Sequence, residues 1–105
     1  MSESRLIFEV MQELGKHGAI FRTNAGQFYT RSGQRISGLP KGFSDLLFIG
    51  NDGVSCFVEC KVKPNKPSPE QIAFLEKMAA LGARTGVAYS VAGALEICGL
   101  TGQSS

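Results

Sequence analysis

The stretch from Phe43 to Val62 restricts the possible folds more than any other part of the chain. Phe43 to Ile49 and Val54 to Val62 read as strands, and Asn51-Asp52-Gly53 between them is a turn sequence, so the segment predicts an antiparallel hairpin. Side chains alternate along a strand. Phe57, Glu59 and Lys61 therefore share one face of the second arm, while Cys56, Val58 and Cys60 share the other. If the turn takes three residues, with Gly53 in the left-handed conformation, Asp45 falls directly opposite Glu59. A two-residue turn would put the two acids on opposite faces, and Gly53 favours the first register.

The flanking segments read as alternating helices and strands. Leu6, Ile7, Val10, Met11 and Leu14 follow the spacing of one helical face, predicting a helix from Ser4 to Gly15, after which Ala19 to Thr23 reads as a short strand. Asn24 to Gly42 is polar and glycine-rich, and a loop of that length in a small domain is expected to contact substrate or lack order. Ser68-Pro69-Glu70-Gln71 is a helix start, with Ser68 as cap, Pro69 at the first helical position and Gln71 completing a capping box. That helix runs to Gly82; Gly86 to Ser90 reads as a strand and Val91 to Ile97 as a helix. The order α, β, β, β, α, β, α predicts an α/β fold with a central mixed sheet flanked by helices. At 105 residues the chain has room for one domain over 1–105, with a frayed tail from Gly99 to Ser105.

Composition narrows the functional classes. With 43% hydrophobic and 19% charged residues the chain reads as an ordinary globular protein. No apolar run reaches the roughly 18 residues of a membrane span, and Met-Ser-Glu-Ser-Arg has no signal-peptide pattern, so a cytoplasmic location and no membrane partner are expected. The net charge of +2 is too small to identify a nucleic-acid binder. Its distribution says more, because Arg31, Arg35 and Lys41, then Lys61, Lys63 and Lys66, cluster in loops or at strand ends. Cys56, Cys60, Cys98 and the single His17 are too scattered for the roughly four ligands of a zinc site, so buried thiols are expected.

Two facing carboxylates beside a lysine can hold a hard cation such as Mg²⁺, which takes oxygen ligands. An ion there would polarise a phosphoryl oxygen and acidify a water, and the ammonium could orient the nucleophile or stabilise developing negative charge. That is the chemistry of phosphodiester hydrolysis. An isolated Glu-x-Lys is equally the signature of a salt-bridged surface hairpin, so the argument needs more than Glu59 and Lys61.

The wider pattern supplies it. Gly42-Phe43-Ser44-Asp45-Leu46, a hairpin, Val58-Glu59-Cys60-Lys61, a loop of lysines and prolines, and a helix opening on Gln71 together resemble the PD-(D/E)XK nuclease superfamily. Within it the chain is similar to the VRR-NUC family over about residues 3 to 90. The resemblance implies a restriction-endonuclease-like fold and divalent-metal-dependent cleavage of DNA with Mg²⁺ or Mn²⁺. It implies Asp45, Glu59 and the Cys60 carbonyl as metal ligands, Lys61 as the catalytic lysine and Gln71 as a further catalytic residue. Arg22, Asn24 and Gly26 match its Arg-x-Asn-x-Gly pattern at a strand end. Ser44 stands where the superfamily has proline; that proline does no chemistry.

A further acid is implied on the first helix. At about 100° per residue Glu3 lies on the apolar stripe and Glu9 lies off it, which selects Glu3. DNA contacts are expected from Arg22, Asn24, Arg31, Arg35, Lys41, Ser44, Lys63 and Lys66. Seven phenylalanines in a small core, and the isolated domains of the family, point to a homodimer suited to branched DNA such as four-way junctions. The alternative is a non-catalytic nucleic-acid-binding module of the same fold.

Overall fold

The computed structural model describes residues 1–23 and 27–100. Among them the elements run α1 (Glu3–Leu14), β1 (Gly18–Arg22), β2 (Gln27–Tyr29), β3 (Arg35–Ser37), β4 (Leu46–Gly50), β5 (Ser55–Cys60), α2 (Pro69–Ala80), β6 (Arg84–Ala88) and α3 (Val91–Ile97). The main sheet has the order β1-β4-β5-β6. Its first two pairings are antiparallel and the last is parallel. Parallel neighbours need a crossover, and α2 provides it. Among the described residues no helix is long and apolar enough to cross a membrane.

Local chemistry accounts for the helix boundaries. The Ser2 side chain accepts a hydrogen bond from the Arg5 amide at 3.1 Å and opens α1. Ser68 accepts from the Gln71 amide at 3.2 Å, and the Gln71 side chain accepts from the Ser68 amide at 2.8 Å, the reciprocal box expected from the sequence. At the end of α3 the Gly99 and Leu100 amides donate to the carbonyls of Glu96 and Leu95, closing the helix in a Schellman motif. Gly99 and Leu100, expected to be frayed, are thus held; the rest of the expected tail, 101–105, lies outside the described residues.

The segment Asn24 to Gly42 corrects an expectation. It carries the antiparallel ribbon β2–β3 rather than loop alone. Each strand has only three residues, too few to display a period of two in the sequence.

One face of the main sheet is dry. Leu46, Phe48, Cys56, Val58 and Cys60 pack against Leu6, Ile7, Val10 and Leu14 of α1 and against Ala94 and Cys98 beneath α3. The three cysteines are buried and free, as expected, and burial pushes the Cys60 and Cys98 thiols up to about 12. On the opposite face, α2 is fastened by a cluster of rings. The centroids of Phe43 and Phe74 are 4.4 Å apart, and Phe57 lies 5.8 and 5.4 Å from them.

Candidate active site

The hairpin register sets the site. Leu46 pairs with Val58 and Ile49 with Ser55, which leaves Asn51 to Gly53 as the turn. Gly53 has a φ of +75°, the left-handed conformation expected of it, and its amide donates to the Gly50 carbonyl at 3.1 Å. One step beyond the paired residues, the same register brings Asp45 opposite Glu59. Here side chains take over the ladder. The Asp45 amide donates to Glu59 Oε1 at 3.2 Å, and the Cys60 amide donates to Asp45 Oδ2 at 2.9 Å. Each carboxylate is fixed by the backbone of the other's strand.

Other elements converge on this strand end. Glu3, in the first turn of α1, places Oε1 4.0 Å from Lys61 Nζ, which is itself 3.6 Å from Glu59 Oε2. Glu9 instead pairs with Arg5 at 3.0 Å. Oxygens of Glu3, Asp45 and Glu59 all lie within 4.8 Å of one another. Gln71 performs two tasks: Oε1 completes the helix cap, and Nε2 donates to Glu59 Oε2 at 2.9 Å.

Glu59 is 1% exposed, and its carboxyl is pushed up to about 7. Burial is the main cause, and the neighbouring Asp45 adds to it, while Lys61 pulls the other way. Three acids this close, one of them buried, repel each other unless a cation or proton intervenes. The donor set is therefore suited to a hard divalent ion: oxygens only, partly wet at Glu3 and anchored at Asp45 and Glu59.

Two supporting residues were not assigned a role by the motifs. The Thr23 amide donates to the Asp45 carbonyl at 2.9 Å and its hydroxyl donates to the Ser44 carbonyl, so the end of β1 clamps the backbone that carries Asp45. Gly42 has a φ of +94°, and a Cβ there would sit 2.7 Å from the Glu70 carbonyl oxygen. That close approach seats the start of α2, and hence Gln71, against the Asp45 strand. Gly42 stood inside the quoted motif, whereas nothing in the sequence marks Thr23.

The expected nucleic-acid contacts divide. Arg22, Arg31, Lys41, Lys63 and Lys66 are exposed. Arg35 opens β3, and Asn24, with Gly26, lies outside the described residues. Ser44 is a correction: it is buried, and its hydroxyl donates to the Leu46 carbonyl at 3.0 Å, so it faces the interior and not a phosphate.

A mixed sheet between helices, with an acid pair at the end of its central hairpin, is an α/β fold of the restriction-endonuclease-like type. At the level of sequence, no family model and no curated protein matches the chain. In three dimensions the chain is similar to a solved structure described as a VRR_NUC domain, with a TM-score of 0.66 and 24% identity over 94% of this chain and 96% of that one. The protein thus has the fold of a VRR_NUC domain, as the motifs led one to expect.

Proposed function

We propose that the protein is a VRR-NUC-type nuclease that hydrolyses DNA phosphodiester bonds with Mg²⁺ or Mn²⁺. The observation that carries this reading is the convergence of Glu3, Asp45 and Glu59 within 4.8 Å at a strand end that also bears Lys61. Asp45 and Glu59 would hold the ion, with the Cys60 carbonyl and Glu3 completing the set. When bound, a divalent ion supplies Lewis-acid stabilisation of the phosphoryl group and acidifies a coordinated water. Lys61, 15% exposed, keeps its ammonium beside the carboxylates, where it can orient the attacking water or meet charge developing on the phosphoryl oxygens. Gln71 holds Glu59 Oε2 in place, so Glu59 needs no reorganisation to act as a ligand. Arg22, Asn24, Arg31, Arg35, Lys41, Lys63 and Lys66 would contact the phosphates. A homodimer working in the cytoplasm, with two sites presented to the strands of a branched junction, is the assembly in keeping with this chemistry.

The test is incubation of the purified protein with single-stranded, duplex, flap and four-way-junction DNA in Mg²⁺, Mn²⁺ or EDTA. Cleavage is expected with either metal and none with EDTA. DNA that is bound but never cut would instead identify a binding module on a nuclease fold.

A further inference from the structure

Tyr89 is the residue next to the site that the mechanism leaves unused. In the parallel β5–β6 register Glu59 lies beside Val87 and Cys60 beside Ala88, and the Lys61 amide donates to the Ala88 carbonyl at 3.0 Å. Cys60 and Ala88 are both buried in the core. By alternation, the residues that follow them, Lys61 and Tyr89, emerge together on the Glu59 side of the sheet.

The ring is held in place without being covered. Its hydroxyl donates to the Asn65 carbonyl at 3.3 Å, and Lys63 Nζ stands 5.9 Å from its centroid, yet the residue keeps 39% of its surface exposed. Both partners come from the basic loop between β5 and α2. An aromatic plane near the proposed catalytic lysine, with Lys63 over one face and 39% of the residue still exposed, offers its open surface to a planar ring and a charge to the phosphate attached to it.

We infer that Tyr89 is a stacking platform for an unpaired nucleobase next to the scissile phosphate, with Lys63 placed to receive the adjoining phosphate. A base inside a duplex already has both faces covered by its neighbours. An unpaired base has a free face, so the ring favours DNA that is frayed, mismatched or single-stranded at the cut. The inference rests on the nuclease reading above and adds the substrate feature that the carboxylates do not read.

The experiment uses the full chain in EDTA, with DNA carrying 2-aminopurine either in a single-stranded flank or inside a matched duplex. The parent protein quenches the unpaired label. Tyr89→Leu abolishes that quench and lowers the affinity for unpaired relative to matched DNA by about tenfold, whereas Tyr89→Phe, which keeps the ring, retains both. An unchanged quench and ratio in a folded Tyr89→Leu protein overturns the platform. So does an equal loss in the Leu and Phe variants, which would assign Tyr89 to anchoring the Asn65 loop. Cutting by the same preparations in Mg²⁺ or Mn²⁺ tests the nuclease reading separately: cutting with an unchanged ratio defeats only the platform, and failure to bind or cut any DNA defeats both.

Discussion

At each end of the β4–β5 hairpin a carboxylate meets a cation, and the two pairs behave in opposite ways. At the turn, Asp52 Oδ2 and Arg84 Nη1 are 2.7 Å apart, and both side chains are exposed. The Val54 amide and the Arg84 guanidinium hold the Asp52 carboxyl below its ordinary value. At the other end Glu59 and Lys61 are 3.6 Å apart, and the Glu59 carboxyl is pushed up to about 7 in spite of the lysine. The tighter bridge sits in water and stabilises its own charge; at the looser one, burial and a second acid outweigh the lysine and disfavour the charge. Ion-pair distance is therefore a poor guide to function, whereas burial and a like-charged neighbour are a good one. A salt-bridged surface hairpin, the plain reading of Glu-x-Lys, describes Asp52 and Arg84 better than Glu59 and Lys61.

The strongest way to break this comparison is to neutralise each acid in turn. Asp45→Asn and Glu59→Gln should each lower cleavage by at least about a hundredfold, because losing a ligand forfeits several kcal/mol of transition-state stabilisation. Lys61→Ala should be comparably inactive yet still bind metal by calorimetry. Parent-like cleavage by a folded Glu59→Gln protein would remove the site.

Stability should move the other way. Because folding raises the Glu59 carboxyl from 4.5 to about 7, the folded protein holds this proton more tightly than the unfolded chain. Its contribution to metal-free stability is therefore fully present below about pH 4.5 and is lost as pH rises through 7. Glu59→Gln, which cannot ionise, should be more stable than the parent at pH 8 without metal, by on the order of 2 to 3 kcal/mol, and the gain should shrink toward pH 5. Urea melts at the two pH values in EDTA measure it. A variant less stable than the parent at pH 8 would show that Glu59 is not strained by its surroundings.

Gln71→Glu sharpens the same point. The new side chain can still accept from the Ser68 amide and keep the helix cap, but it replaces the Nε2 donor with an oxygen facing Glu59 Oε2. We expect α2 to remain intact by circular dichroism and cleavage to fall by about tenfold, with the pH profile shifted upward as a further like charge opposes ionisation of Glu59. Gln71→Glu activity equal to the parent would reduce Gln71 to a capping residue.

The parts of this arrangement that were legible beforehand are those set by local chemistry. The left-handed Gly53 and the two-residue alternation of β5 are enough to put Asp45 opposite Glu59, and the capping box at Ser68 and Gln71 marks the start of α2. The apolar stripe of α1 likewise separates Glu3 from Glu9. What stayed hidden depends on tertiary pairing. The β2–β3 ribbon is too short to carry a pattern, the polarity of Ser44 suggests a DNA contact until the chain around it is buried, and Thr23 matters only because β1 happens to end beside Asp45. Strand β6 begins at Arg84 rather than Gly86 because its parallel partner Cys56 extends the ladder, which no local signal announces.

The smallest expected effect completes the comparison at its exposed end. Asp52→Asn removes the 2.7 Å bridge to Arg84 and should leave cleavage at the parent level. Since the Asp52 carboxyl is lowered on folding, the stability it supplies is present above its ordinary 3.8 and disappears as pH falls through its depressed value. Both partners are wet, and ions at physiological strength screen charges over about 8 Å, so the change in melting temperature should be visible at low salt and close to nothing at 0.5 M NaCl. Thermal melts of parent and variant at two ionic strengths, alongside a cleavage assay, decide it. A salt-independent loss of stability, or a loss of cleavage approaching that of Glu59→Gln, would mean that the two ends of the hairpin do not differ in the way their burial implies.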